Sequence, residues 1–149
     1  MSALRFRNLD VSPEEPVEDW PFEGVVTAIE RGALPDWQRL AAAINAEPWG
    51  QVARYVTEAL QVVRPYGVAP LMECVVERAR TRAERSERAE VARRVAGLLA
   101  RSGLSRQACA ERLGTAASRL STYLTGRVVP SAALLVRMER LASSQEDSR

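Results

Sequence analysis

Apolar positions recur at helical spacing in three successive runs that follow residue 20. They are Phe22, Val25, Val26 and Ile29, then Trp37, Leu40, Ala41 and Ile44, then Trp49, Val52, Ala53, Val56, Leu60 and Val63. Spacings of three and four residues are typical of amphipathic helices. The runs begin after Pro21, Pro35 and Pro48, and proline is favoured at a helix start, where its missing N–H loses no partner. The short connections predict three antiparallel neighbours in an N-terminal bundle.

All three tryptophans belong to this region, at Trp20, Trp37 and Trp49. They allow an aromatic-binding groove, but we favour a core seam, because large rings contribute much of the apolar burial in a small domain. Residues 1–20 contain prolines and acidic residues with little periodicity. This pattern predicts an extended arm that packs only through Leu9, Val11 or Val17.

A fourth helical run extends over residues 70–102, about 50 Å at 1.5 Å per residue. Its two ends carry apolar faces, whereas residues 77–90, ERARTRAERSERAE, are highly charged and predict a solvated helix or a hinge. Five arginines there allow a second nucleic-acid contact: Arg78, Arg80, Arg82, Arg85 and Arg88. We favour the simpler interpretation of an exposed helix supported by charge pairs such as Glu84 with Arg88.

Residues 103–130, GLSRQACAERLGTAASRLSTYLTGRVVP, predict two short amphipathic helices joined at Gly114, where the absence of Cβ tolerates a positive φ. Ser105 is a suitable N-cap for the first helix, and Gly126 follows the second. Pro130 then opens a further helix over residues 132–142. We expect Leu120 and Tyr123 to face inward against Leu113 and Leu98. The pattern predicts a helix-turn-helix.

The stretches GLSRQACAERLG, RLSTYLTG and VVPSAALLVRMERLA resemble, without a gap, the motif of helix-turn-helix regulators of the Cro/cI (XRE, phage-repressor-like) family. The resemblance covers about residues 90–142. Together with the helical runs it implies an all-α fold, in which a long helix joins an N-terminal bundle to a C-terminal Cro/cI-like helix-turn-helix domain. We expect an arm at 1–20, a helical domain for oligomerisation or partner binding at 21–85, the DNA-binding domain at 86–142 and a disordered tail at 143–149.

Three positions depart from the family pattern. Arg106 replaces a glutamine that braces the recognition helix and touches the DNA backbone, so its contact becomes a charge-assisted phosphate bond. Thr115 and Ala116 replace Val-Ser, which costs about 1 kcal/mol of capping if Ala116 is the N-cap and Thr115 does not take that role. Leu124 stands where an acidic residue is common, and an extra exposed leucine indicates a protein contact.

Composition excludes several functions. The chain has 149 residues, 46% of them hydrophobic, which suffices for one domain or two small ones. Without histidine, and with Cys74 and Cys109 far apart, we expect packed reduced thiols, no metal site, no cofactor and no enzyme. No apolar run approaches a membrane span, and residues 1–16 lack the apolar core of a secretory signal. The expectation is a cytoplasmic protein without a membrane partner.

Charge is distributed unevenly along the chain. All 21 basic side chains are arginine; residues 1–69 hold 6 of them against 10 acidic residues, and residues 70–149 hold 15 against 9. The basic half contains the predicted helix-turn-helix, which favours attraction to a phosphate backbone.

The resemblance implies double-stranded DNA as the partner, read by a helix at about residues 116–124. Arg119 is the candidate for a base-edge contact, because guanidinium pairs bidentately with guanine; the alternative is a merely solvated arginine. Candidates for phosphate contacts are Arg106, Ser121 and Arg127. The remaining candidates for the DNA-facing surface are Gln107, Thr115, Ala117, Ser118 and Thr122.

The expected function is sequence-specific transcriptional regulation, with repression of a palindromic operator by a homodimer. Dimerisation is expected through the bundle or the helix after Pro130, where Leu134, Leu135, Val136 and Met138 are surplus apolar positions. One alternative is an antitoxin whose acidic half neutralises a toxin while the helix-turn-helix represses the promoter. Another is a helix-turn-helix that mediates only protein contact, which predicts no steep fall of DNA affinity with salt.

Overall fold

The computed structural model describes residues 3–148, and over this range the chain is helical without a β-strand, which confirms the all-α prediction. A short 3₁₀ turn, Val17–Asp19, precedes seven α-helices. They are α1 Phe22–Arg31, α2 Leu34–Ala46, α3 Gln51–Val62, α4 Val68–Ser102, α5 Arg106–Leu113, α6 Ala117–Leu124 and α7 Ala132–Asp147. Within the described chain, no helix has both the length and the apolar character needed to cross a membrane.

The chain divides into two compact units, Met1–Ala83 and Glu84–Arg149. The core of the first unit is formed by the apolar faces of α1, α2, α3 and the first turns of α4. Its deepest large side chains are Trp20, Val25, Ile29, Leu40, Ile44, Val56 and Met72. The amphipathic runs of the sequence therefore do bury one face each.

The segment before α1 packs more extensively than the extended arm that the sequence suggested. Trp20 is 1% exposed, and the ring of Phe6 meets it edge-on at 5.1 Å. The guanidinium of Arg39 covers the indole at 4.9 Å and donates hydrogen bonds to the carbonyls of Pro13 and Glu15. This arginine in α2 thus ties the proline-rich stretch to the first unit, a contact that no periodicity within residues 1–20 could indicate.

The prediction that all three tryptophans form a core seam is wrong for Trp49. Pro48 and Trp49 lie in a turn, and α3 begins only after Gly50, its N-cap. The Trp49 side chain is 52% exposed, and Arg80 of α4 places its guanidinium 4.7 Å from the ring centre while donating to the Pro48 carbonyl at 3.0 Å. Trp37 follows the prediction, since it packs on the core and donates from Nε1 to the Ala28 carbonyl.

The second unit has its own core, built by the last turns of α4 together with α5, α6 and α7. Its buried residues are Val95, Leu98, Cys109, Ala110, Leu113, Leu120, Tyr123, Leu134, Met138, Leu141 and Ala142. Leu134 and Met138, expected as surplus positions for a dimer, are therefore core residues, and Leu135 packs against them. Of that set, only Val136 remains exposed, at 41%.

Helix α7 also continues beyond its expected end. Residues 143–147 are helical rather than the predicted disordered tail, because α7 runs to Asp147. Ser144 donates to the Leu141 carbonyl at 2.9 Å, and Glu146 lies 3.8 Å from Arg101 of α4. Of the tail, residue 149 lies outside the described residues.

Candidate nucleic-acid interface

The connection between α5 and α6 is tight and has clear local causes. Ser105 caps α5 by accepting a hydrogen bond from the Ala108 amide at 3.1 Å. Gly114 ends α5 with φ 71°, a left-handed conformation that a residue without Cβ adopts at little cost. The Thr115 amide then donates back to the Ala110 carbonyl at 3.0 Å, which satisfies one of the carbonyls left over at the helix end. As a result only three residues separate the two helices.

Helix α6 is fixed by its inner face. Leu120 and Tyr123 are buried among Leu98, Leu113 and the rest of the second core, as the sequence predicted. Ser118 and Arg119, by contrast, are exposed to solvent. The Arg119 guanidinium has no hydrogen bond or ion pair with any described residue. It is therefore free to contact a ligand without first breaking a bond within the protein.

Arg106 and Ser121 form a contact that the sequence analysis did not identify. Nη1 of Arg106 donates to the Ser121 hydroxyl at 3.1 Å, so the first residue of α5 is linked to the middle of α6. The same hydroxyl donates to the Ala117 carbonyl at 3.1 Å and is partly buried. Ser121 is therefore engaged within the protein, whereas the exposed guanidinium of Arg106 keeps further N–H groups for other acceptors.

The other predicted site residues differ in how available they are. Arg127 is exposed and unpaired in the described chain, while Gln107 is exposed and donates to Glu111 at 3.2 Å. Thr122 donates its hydroxyl to the Arg119 carbonyl at 2.6 Å. Ala117 packs partly against the second core and Thr115 is half-buried. The nine predicted residues thus lie in α5, in the turn that joins it to α6, in α6 and in the loop after α6, but only some present free polar groups.

Two of the three departures from the family motif now have structural outcomes. Ala116 is the N-cap of α6, and no side chain caps that end, so Thr115 does not take the role. The amides of the first turn of α6 are consequently left without the acceptor that a serine would supply. Leu124 is not the exposed leucine that was expected, because the last turn of α6 carries it onto the second core.

Electrostatics favour an anionic ligand for this unit. Residues 84–149 contain 12 arginines against 7 acidic residues, a net charge of +5. Glu90 holds Arg93 and Arg94, whose hydrogen bonds lower the pKa of its carboxyl group, and Glu146 lies near Arg101. The arginines on α5, α6 and the following loop have no such acidic partner in the described residues.

Among residues 3–148, no three histidine, cysteine or acidic side chains come together as a potential metal site. Cys74 and Cys109 are unpaired with each other, and the Cys109 sulfur is buried 3.3 Å from the Ser102 hydroxyl. Comparison of the chain with protein-family models, with curated protein sequences and with solved structures finds no match.

Proposed function

We propose that this protein is a sequence-specific DNA-binding transcriptional regulator, acting as a repressor in the form of a homodimer on a palindromic operator. In this proposal α5 and α6 form a helix-turn-helix of the Cro/cI type, and α6 enters the major groove, whose width of about 12 Å admits an α-helix. The observation that carries the proposal is Arg119, exposed and unpaired on a helix that Leu120 and Tyr123 fix in the second core.

Arg119 is assigned to base reading. A guanidinium can donate two parallel hydrogen bonds to O6 and N7 of guanine, and such a contact discriminates against other bases by about 1–3 kcal/mol. Because Leu120 and Tyr123 anchor the adjacent positions in the core, the direction in which Arg119 leaves α6 is set by packing. A fixed direction favours selective reading over general charge attraction.

Arg106 and Arg127 are assigned to the phosphate backbone, together with the uncapped amides of α6. Amides at a helix N-terminus carry partial positive charge, and where no side chain caps them they can donate hydrogen bonds to a phosphate oxygen. Gln107 is assigned to the same role. Its side-chain amide would exchange the hydrogen bond that it donates to Glu111 for one to a phosphate oxygen. Contacts of this kind set the register of the protein on the duplex without reading sequence.

The proposed dimer uses the first unit. One α6 offers few base-reading side chains, so operator-level specificity needs two copies spaced by about 34 Å on the duplex. Helix α7 is a poor candidate for the dimer interface, because Leu134 and Met138 are buried in the second core. The first unit, in contrast, exposes large apolar side chains, namely Leu34, Trp49, Val62, Tyr66 and Leu71.

The test is selection of bound sites from random duplexes, followed by Arg119→Ala on the best site. We expect loss of preference at one base pair while general binding is retained. Arg140→Ala, an exposed and unpaired arginine on α7, is the matched control for the lost charge and should keep the preference intact. Uniform weakening by Arg119→Ala would reassign that side chain to phosphate, and no enrichment of any site would refute sequence-specific binding.

A second candidate function is an antitoxin, in which the first unit binds and neutralises a small protein while the second unit represses the shared promoter. It is favoured by the charge of the first unit, which holds 9 arginines against 12 acidic residues, beside its exposed apolar side chains. The distinguishing experiment is co-expression with the product of the adjacent gene. A stable complex that relieves growth inhibition by that product supports the antitoxin, and independent migration of the two proteins supports the simple regulator.

A further inference from the structure

The loop that follows α6 packs against α4 at a defined point. Gly126 has φ 76°, and a Cβ built on it would lie 3.6 Å from the Arg88 carbonyl oxygen and 3.7 Å from the Ala92 Cβ. Both contacts belong to the second unit. The backbone that leads into Arg127 therefore lies beside the turn of α4 formed by residues 88–92.

Helical geometry places two arginines next to this point. Residues four apart lie on the same face of a helix, and those three or seven apart lie close to that face. Ala92 contacts the loop, so Arg88 lies one turn before it on the same face, and Arg85 lies on that side a further three residues back. Both are exposed, as is Arg127, which immediately follows Gly126. The three guanidinium groups thus extend from neighbouring pieces of backbone.

These side chains are also unengaged, unlike Arg80 and Arg82 earlier in α4. Arg80 is held by the Pro48 carbonyl and the Trp49 ring, and Arg82 donates to Asn45 at 3.3 Å. Arg85 and Arg88, by contrast, make no side-chain hydrogen bond or ion pair with a described residue. The predicted pair between Glu84 and Arg88 does not form in the structure. The charge-pair explanation for this part of α4 is therefore unsupported.

We propose that Arg85, Arg88 and Arg127 form a phosphate-binding subsite that holds the backbone of duplex DNA beside the segment read by α6. The inference rests on the proposed function and adds a binding surface outside α5 and α6. Three residues of helix rise about 4.5 Å, so Arg85 and Arg88 leave one side of α4 less than one turn apart, and each long side chain can pair with a different phosphate. The subsite adds affinity and salt dependence but no base preference.

The experiment measures the dissociation constant for the selected duplex by fluorescence anisotropy at several salt concentrations, using the full chain. Each phosphate contact contributes about 0.9 to the slope of log affinity against log salt. Arg85→Ala/Arg88→Ala should therefore flatten the slope by about 1.8. A fourfold rise in salt should weaken the variant about tenfold less than the wild type. Base preference should remain unchanged, and Arg85→Lys/Arg88→Lys should retain the steep slope.

A matched control is available in α7. Arg137 and Arg140 have the same spacing, are exposed and are unpaired in the described chain, so Arg137→Ala/Arg140→Ala removes equal charge elsewhere and should leave the slope unaltered. An unchanged slope for Arg85→Ala/Arg88→Ala, or an equal loss in the control, overturns the subsite while leaving the proposed function standing. A wild type that does not bind duplexes overturns both.

Circular dichroism checks that the Arg85→Ala/Arg88→Ala variant is folded. Alanine is a better helix former than arginine, so the helical signal of the double variant should match that of the wild type. If it does not, Arg85→Gln/Arg88→Gln compared with the lysine pair provides the same readout: a slope reduced by glutamine and retained by lysine supports the subsite, and equal slopes refute it.

Discussion

Arg106 and Ser121 join α5 to α6 through a hydrogen bond of 3.1 Å from Nη1 to the hydroxyl oxygen. The bond lies at the surface, so its contribution to folding is about 1 kcal/mol or less. Its greater effect is on orientation, because it restrains the middle of α6 from the side while Leu120 and Tyr123 fix it from within. Arg106 can therefore both position the proposed reading helix and contact phosphate, and the two roles are separable.

The first prediction separates these roles with two variants. Ser121→Ala removes the brace and keeps the Arg106 charge, so we expect weaker specific binding with an unchanged slope of log affinity against log salt. Arg106→Ala removes both, so the slope should also flatten by about 0.9. Anisotropy titrations on the selected duplex measure both quantities. Identical slopes in the two variants would contradict a phosphate contact by Arg106.

The second prediction concerns the missing cap of α6. Ala116→Ser places an acceptor at the N-cap and should raise the free energy of unfolding of the second unit by about 1 kcal/mol. Urea unfolding followed by circular dichroism reports it. All three tryptophans lie in the first unit, so their fluorescence serves as an internal reference that should not shift.

Ala96→Ser is the control for the second prediction, since it introduces the same side chain into the second unit at an exposed position in the interior of α4, where serine is a weaker helix former than alanine. It should leave stability unchanged or slightly lower. Stabilisation by both substitutions would show that the effect at position 116 is not due to capping.

The sequence predicted the helices around the candidate site, because the residues that start, end and orient each helix lie within a few positions of one another. Ser105 and Gly114 delimit α5, and the spacing of Leu113, Leu120 and Tyr123 gave their burial. A cap, a left-handed glycine and an apolar period act through neighbouring backbone, so the sequence displays them directly.

The features that sequence reasoning missed depend on side chains meeting across elements. Arg39 reaches the segment before α1, Arg80 covers Trp49, and Arg106 reaches Ser121, each over many residues. Pro48 was misjudged for a different reason: a proline before a helix marks a start only approximately, and the following Gly50 is the residue in the N-cap conformation. Contacts of long polar side chains carry no periodicity, so they appear only once the helices are placed.

The third prediction locates the proposed dimer surface. Val62 and Tyr66 are strongly exposed at the end of α3 and in the turn before α4, without a role in the first core. Each apolar side chain of this size contributes about 1.5–3 kcal/mol when fully buried. Val62→Ser/Tyr66→Ser should therefore weaken dimerisation at least about tenfold, as measured by light scattering over a concentration series.

Val128→Ser/Val136→Ser removes two exposed apolar side chains from the second unit and should leave the dimer intact. Greater loss in this pair than in the first would move the interface to the second unit. A monomeric mass for the wild type at tens of micromolar, with and without its duplex, would refute the homodimer.

The fourth prediction concerns pH and Glu90. Hydrogen bonds from Arg93 and then Arg94 lower the pKa of the Glu90 carboxyl group in the folded chain. A carboxyl whose pKa is depressed by folding contributes stability above its unfolded pKa and loses it as pH falls through the folded value. We expect the wild type to be more stable than Glu90→Gln near neutral pH, with the difference in the free energy of unfolding vanishing in acid.

Urea unfolding monitored by circular dichroism at each pH measures this difference. Because both proteins share all other carboxyl groups, the titration of those groups cancels in the difference. Glu87→Gln, which removes a carboxylate without an ion pair among the described residues from the preceding turn of α4, is the matched control for the lost charge. A constant difference for Glu90→Gln across the acid range would mean that its two arginine contacts do not persist in solution.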